Sequence, residues 1–214
     1  MAKAIPPLTP EEFAAEAGVS RETLKRLRLF AELLVKWQRA VNLVATDSLR
    51  DLWRRHMLDS AQLYRLLPSG CRRVLDIGSG AGFPGLVLAA MGVPEVHLVE
   101  SDQRKCAFQR EVARVAGLSV TVHVVRIEKL APFAVDAITS RACAELPQLL
   151  DYAAPFLGSE TVCLFLKGKQ VERELTEAGK GWKMQIKRFK SRSDPTGTVL
   201  RLSHVEPVRP HRDE

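Results

Sequence analysis

The chain has 214 residues, 46% of them hydrophobic, enough to fill a core and to exclude disorder of the whole chain. It carries 32 Lys and Arg against 25 Asp and Glu, a net charge of +7, and no apolar run approaches the roughly 20 residues that a bilayer-spanning helix needs. The four cysteines, Cys71, Cys106, Cys143 and Cys163, stand far apart without C-x-x-C pairing or a histidine at ligand spacing, so neither a disulfide framework nor a metal site is expected.

Thr9-Pro10-Glu11-Glu12 has the pattern of a capping box: Thr9 caps, Pro10 takes the first helical position, Glu12 reaches back, and Gly18 stops a short helix. A second helix is expected from near Ser20. Leu24, Leu27, Ala31, Leu34 and Val35 recur at spacings of three and four, while Arg21, Lys25, Arg28, Glu32, Lys36 and Arg39 fall on other faces. Trp37 and Val41 extend the buried side. Asp47 or Ser48 is placed to cap a third helix carrying Leu49, Leu52, Trp53, Leu63, Leu66 and Leu67, ended by Pro68-Ser69-Gly70. Residues 1–70 are thus expected to form an N-terminal helical extension.

From Arg73 the texture changes to short, β-branched runs at 74–77, 96–99, 120–125, 135–139 and 161–166. Helix-compatible stretches beginning near Pro84, Gln103, Leu146 and Gln170 separate most of them. Such alternation predicts an α/β, Rossmann-like fold with a mostly parallel sheet covered on both faces. The last two runs, Met184 to Phe189 and Thr198 to His204, are joined by Ser191 to Gly197 with no room for a helix, and so should pair antiparallel. Residues 71–206 are read as this one domain and 207–214 as a disordered tail.

The charge is unevenly spread. Lys and Arg outnumber Asp and Glu by 12 to 5 over residues 20–73 and by 12 to 7 over 165–214, whereas 74–164 hold 7 against 10. Basic flanks around an acidic middle suit a polyanion, because Lys and Arg that neutralise phosphates release counterions and supply sequence-independent affinity. A solvated basic surface is the plainer reading of the same numbers.

Val74-Leu75-Asp76-Ile77-Gly78-Ser79-Gly80-Ala81-Gly82-Phe83 runs from a strand through a glycine turn into a helix, and a ligand is expected at the strand's carboxyl end. A dinucleotide fingerprint needs glycine where Phe83 stands, and a phosphate loop needs a following Gly-Lys-Ser/Thr that is absent. The spacing G-x-G-x-G after Asp76 instead resembles the cofactor loop of class I S-adenosylmethionine methyltransferases. That cofactor carries a sulfonium and an ammonium, so the Asp76 carboxylate and the turn carbonyls at Gly78, Gly80 and Gly82 suit it better than they suit a pyrophosphate. Glu100 ends the next strand, 22 positions after Gly78, where a carboxylate can accept hydrogen bonds from both ribose hydroxyls.

Further strings narrow the likeness. Gly80-Ala81-Gly82-Phe83-Pro84-Gly85, Ile138-Thr139-Ser140-Arg141-Ala142 and Leu166-Lys167-Gly168-Lys169, together with Lys36-Trp37, Val41-Asn42-Leu43 and Arg55-His56-Met57-Leu58-Asp59-Ser60, resemble the glucose-inhibited division protein B family, the small-subunit (16S) ribosomal RNA guanine-N7 methyltransferases. The resemblance covers roughly residues 24–170. It implies that Gly78 and Phe83 line the cofactor, that Ile127 and Glu128 meet its adenosyl part, that Arg141 closes the site, and that Lys167 faces the substrate. Gln38 and Ser79 stand where the family has asparagine and threonine, and Pro195-Thr196-Gly197-Thr198 lacks the charged string expected before the last strand. The partners implied are 16S ribosomal RNA or the small ribosomal subunit, met by a monomeric, cytoplasmic protein with no membrane or metal involved. The start of the chain, Met1 to Pro7, lacks the apolar stretch of a secretory signal.

Guanine N7 has an in-plane lone pair and no proton to lose, so the absence of an acid/base dyad is expected; rate comes from alignment and from tolerating charge that moves to the base. Ser140-Arg141-Ala142-Cys143 does not match the Asn/Asp-Pro-Pro-aromatic string of exocyclic-amine enzymes, and Cys143 lacks the preceding proline of carbon-5 enzymes. Arg141 is read as substrate-positioning against a structural ion pair, and His56 with Asp59 as a tie between helices and sheet against an acid/base pair. Trp37 and Trp53 are read as apolar anchors rather than stacking platforms. Two competing functions are a small-molecule methyltransferase and a non-catalytic RNA-binding module with a vestigial pocket.

Overall fold

The computed structural model describes residues 6–208. Its strands are β1 (Arg73–Ile77), β2 (Glu95–Glu100), β3 (Val120–Val124), β4 (Ala137–Arg141), β5 (Val162–Lys167), β6 (Trp182–Lys190) and β7 (Thr198–Pro207), in one sheet ordered β3-β2-β1-β4-β5-β7-β6. The first five run parallel; β7 is antiparallel to β5 and to β6. The chain builds outward from β1 to β3, then returns to lay β4 on the other side of β1. That reversal opens a crevice above the carboxyl ends of β1 and β4, where a ligand can enter between diverging loops.

The helices are α1 (Pro10–Ala17), α2 (Arg21–Trp37), the single turn α3 (Asp59–Ala61), α4 (Gly85–Ala90), α5 (Gln103–Ala116), α6 (Leu146–Ala153) and α7 (Val171–Gly181). Local chemistry sets their ends. Thr9 and Glu12 form the expected capping box, Ser20 accepts from the Thr23 amide at the head of α2, and Asp102 does the same for Arg104 at the head of α5. Each such cap is worth about 1 kcal/mol. Because strand side chains alternate, Val74, Val96 and Leu98 pack with Leu86, Phe108 and the N-terminal Leu27, Phe30 and Leu34 on one face. Leu75, Ile77, Ile138 and Phe165 pack with Leu149, Leu150 and Leu175 on the other. The first helices thus share a core with the sheet, each fully buried Leu or Phe contributing roughly 1.5–3 kcal/mol.

The expected third helix is not one helix. A 3-10 turn (Thr46–Asp51), a π-helical turn (Trp53–Leu58), α3 and a second 3-10 turn (Tyr64–Leu66) replace it. Neither Asp47 nor Ser48 caps; the Ser48 hydroxyl turns instead to the Ala45 carbonyl and to His56 Nε2 at 2.7 Å. The wider π turn, a feature frequent at functional sites, lets Met57 and Leu58 reach the core while Arg55 and Asp59 turn to the crevice. At the other end β7 runs through Pro207, which pairs with Trp182; the rest of the tail, 209–214, lies outside the described residues. Among the described residues no helix is long and apolar enough to cross a membrane, and no group of three or more His, Cys, Asp or Glu could hold a metal ion.

Candidate functional site

The crevice holds a cavity of about 670 Å³, within the range of small-molecule and cofactor sites. Its floor is the turn after β1. At Gly80, where φ is +56°, an added Cβ would meet nothing closer than the Gly78 carbonyl oxygen at 3.9 Å, so that face of the turn is open. Gly82, at φ +90°, is different: a Cβ there would strike Leu86 Cδ1 at 2.2 Å. One glycine clears the cavity and the other lets α4 close on the turn.

Three groups hold the floor rigid. The Ser79 amide donates to the Val99 carbonyl, and the fully buried Gln109 of α5 donates from Nε2 to the Gly80 carbonyl (2.7 Å) and to Ser79 Oγ (2.8 Å). Glu100 accepts from the Gly80 amide on Oε2 (3.1 Å) and from the Ser101 and Asp102 amides on Oε1 (2.7 and 2.9 Å). Backbone donors alone fix this carboxylate, filling both acceptor sites of Oε1 and leaving one on Oε2.

Of the residues singled out in the sequence, Gly78, Gly80, Phe83, Glu100, Ile127, Glu128, Arg141 and Lys167 all border the cavity, whereas Asp76 and Gly82 do not. Asp76 points behind the turn, fully buried, with Oδ2 accepting the Gly85 amide and Oδ1 the Thr139 hydroxyl, each at 2.9 Å. Burial raises its carboxyl to about 7, against both hydrogen bonds. Its contact is with the first turn of α4 and with β4, which corrects the expectation that it meets a methionyl group. Lys167 borders the cavity with its ammonium tied to Glu174 Oε2 at 2.5 Å and to the Ala144 carbonyl at 2.9 Å, clamping β5 to α7 and to the loop after β4.

Arg141 borders the cavity and makes the ion pair of the structural reading. Its guanidinium lies over the Phe83 ring at 4.8 Å, and Nη1 is 3.5 Å from Asp59 Oδ2 and donates to the Arg55 carbonyl. Burial lowers its pKa, with Asp59 opposing, yet an arginine keeps its proton. Asp59 also takes hydrogen bonds from Ser193 and Gln62, but burial outweighs them and Arg141 and raises its carboxyl. Thus Asp59 ties the π-helical stretch to the end of β4 and to the loop before β7. His56 is not its partner.

His56 stacks on Phe83, centroids 5.1 Å apart, and Phe30 stacks on the same residue at 4.7 Å. Burial, then the charges of Arg141 and Arg55, push His56 from 6.5 down to about 3, so it is neutral in any physiological range. The sign follows directly. As pH falls below 6.5 the unfolded chain takes up this proton before the folded one, so stability present above pH 6.5 is lost progressively toward pH 3. Urea denaturation between about pH 8 and about pH 4 is expected to show a steeper acid loss in the parent than in His56→Gln, by up to about 3 kcal/mol. Parallel curves for the two proteins would remove the assignment.

Several residues that build or border the site carry no clear signal in the sequence. Gln38 was noticed only as a departure. Its side chain donates to the Val44 carbonyl and accepts the Leu43 and Val44 amides, holding the Leu43–Ala45 loop at the rim. Asp194, held ionised by hydrogen bonds from Thr196, joins Ser193 and Arg55 on the far rim. Gln109 could have been found as a polar residue among the buried positions of an amphipathic helix.

With this geometry in place, comparison with known proteins is specific. A family model described as rRNA small subunit methyltransferase G matches residues 23–195. The chain belongs to the rRNA small subunit methyltransferase G family. It is 58% identical to the ribosomal RNA small subunit methyltransferase G of Paramagnetospirillum magneticum, over 92% of this chain and 96% of that protein. To the protein of the same name from Rhodospirillum rubrum it is 55% identical, over 92% and 98%. Solved structures share the fold: M. jannaschii TYW2 in complex with AdoMet (TM-score 0.57, 15% identity, 72% of this chain and 76% of that one) and a putative O-methyltransferase from Klebsiella pneumoniae (0.56, 17%, 82% and 89%). The family match spans the π-helical stretch, the glycine turn and the Ser191–Asp194 rim, so all of the cavity except its border at Gly197 and Thr198 lies within the shared region.

Proposed function

We propose that this protein transfers the methyl group of S-adenosylmethionine to N7 of a guanine in 16S ribosomal RNA of the small ribosomal subunit. The observation that carries the reading is the open face at Gly80 beside the Glu100 carboxylate, a cradle that any side chain at position 80 would fill. S-adenosylmethionine, when bound, supplies an electrophilic methyl on a sulfonium. Glu100 would hold a ribose hydroxyl with the acceptor site that its backbone donors leave free on Oε2. Gly78, Gly80 and Phe83 would line the methionyl side, and Ile127 and Glu128, just after β3, the adenine side. Asp76 and Gly82 support this floor from behind.

The residues that remain act by alignment. Guanine N7 attacks through a lone pair already in the ring plane and loses no proton, so no side chain has to serve as base. His56, neutral and packed on Phe83, shapes the wall without titrating. Arg141, locked by Asp59 and Phe83, bounds the space in which the base must lie. Lys167 acts indirectly, by fixing the end of β5.

In this reading residues 71–206 are the methyltransferase domain and 1–70 a helical extension that supplies one wall, while the basic flanks hold RNA phosphates. The protein works as a cytoplasmic monomer on 16S ribosomal RNA or the small subunit. The test is transfer of label from radiolabelled cofactor to undermethylated small-subunit RNA or particles, with mass spectrometry locating the methyl on guanine N7. No label in either substrate would sink the proposal. Turnover of metabolites with little dependence on salt would point instead to a small-molecule enzyme.

A further inference from the structure

Among the described residues β6 is the last strand of the sheet, so one of its edges has no neighbouring strand there. Its nine residues, Trp182–Lys190, include Lys183, Lys187, Arg188 and Lys190 and no acid, and all four cations are exposed. Arg188 pairs with Glu172 at 3.3 Å; the three lysines enter no ion pair among the described residues. Lysines on an edge are an ordinary guard against strand pairing. They do not account for the two large apolar side chains between them, Ile186 and Phe189, which are 40% and 37% exposed.

The register gives the patch a direction. Lys187 and Phe189 stand opposite Arg201 and Val199 on one face, Arg188 and Lys190 opposite Leu200 and Thr198 on the other, so cations project on both sides of the edge. Lys190 pairs with Thr198, and Thr198 and the next residue, Ser191, both border the cavity. The strand therefore leads to the rim, where Arg55 is also exposed. From Lys183 to Lys190 it covers about 24 Å at roughly 3.4 Å per residue.

We infer that the β6 edge grips the ribosomal RNA strand beside the target guanine, with Lys183, Lys187 and Lys190 on phosphates and Phe189 under an unstacked base. This deepens, and rests on, the ribosomal RNA reading above. Cations interleaved with an exposed aromatic are what single-stranded nucleic acid uses: charge tracks the backbone and the ring accepts any base. A second copy of this chain is disfavoured as occupant, because pairing two such edges would set four cations against four.

The experiment compares the parent with Lys183→Gln/Lys187→Gln/Lys190→Gln and with Phe189→Ala, all at exposed positions. Calorimetry with S-adenosylmethionine is the folding control and is expected to give the parent's affinity. Binding to undermethylated 16S RNA is then followed across salt concentrations. For the triple variant the slope of log K against log salt should shrink by about 2, since each single-strand phosphate contributes about 0.7. Phe189→Ala should weaken RNA binding and raise its KM roughly 5- to 100-fold. If the parent methylates the RNA and both variants keep its slope and KM, the β6 inference is overturned and the ribosomal RNA reading survives. A parent that transfers no label to RNA overturns both. A parent that sediments as a dimer dissociated by Phe189→Ala assigns the edge to a second copy instead.

Discussion

Gly80→Val is expected to abolish cofactor binding while leaving the chain folded. The space at Gly80 is open on the cavity side, so a valine would project into the site rather than into the core. Filling a fitted space costs about 1–3 kcal/mol and the left-handed backbone about 1–2 kcal/mol more for a residue with a Cβ. Of this, the intrusion into the site falls on binding, and the strain at φ +56° falls on stability and on the pose of Glu100, whose Oε2 is held by the Gly80 amide. Together they should weaken affinity for S-adenosylmethionine by about 100-fold or more in calorimetry. Gly82→Ala is the control. Its Cβ would collide with Leu86 Cδ1, so it should lower the melting temperature, and its loss of affinity should follow from unfolding. Parent-like affinity in Gly80→Val would remove the cofactor cradle from this turn.

Arg141→Ala should damage both stability and transfer, and a second substitution separates the two. Removing the guanidinium leaves Asp59 largely buried without its counter-charge and strips the cation from the Phe83 face. Breaking a buried pair typically costs 3–5 kcal/mol, and with the partners 3.5 Å apart and 18% and 15% exposed the lower end, about 3 kcal/mol, is expected here. Asp59→Asn keeps the acceptor for Ser193 and Gln62 while deleting the orphaned charge. The double variant should therefore regain most of the lost stability in urea denaturation. It should remain about 100-fold below the parent in kcat/KM for RNA if Arg141 has the proposed role of bounding the space for the base. Recovery of activity together with stability would make Arg141 a purely structural residue.

The strands were legible because parallel strands covered on both faces are short β-branched runs, and the last two strands because seven residues cannot hold a helix. The glycine turn was legible because backbone clearance leaves a mark in the sequence. The third helix was misread for a related reason: Leu49, Leu52 and Leu63 have helical spacing, but the chain must also turn Arg55 and Asp59 outward to the cavity, which it does through a π turn. Asp76 was assigned to the ligand from its place at a strand end. Strand alternation puts it on the same face as Val74, under α4, where the Gly85 amide and Thr139 hydroxyl claim it.

By itself, the sequence determined the strands, the helices other than the third, their order and the type of cofactor turn, since those depend on side-chain period and on backbone clearance, which are local properties. Only the tertiary structure decided partners. Lys167 meets Glu174 across β5 and α7, Arg141 meets Asp59 across 82 positions, and Gln109 reaches the turn from α5. A charge bound to a neighbour in the core and a charge turned to a ligand are the same letter in a sequence. What separates them is the direction of the side chain and the burial around it, and both arise only when distant segments pack.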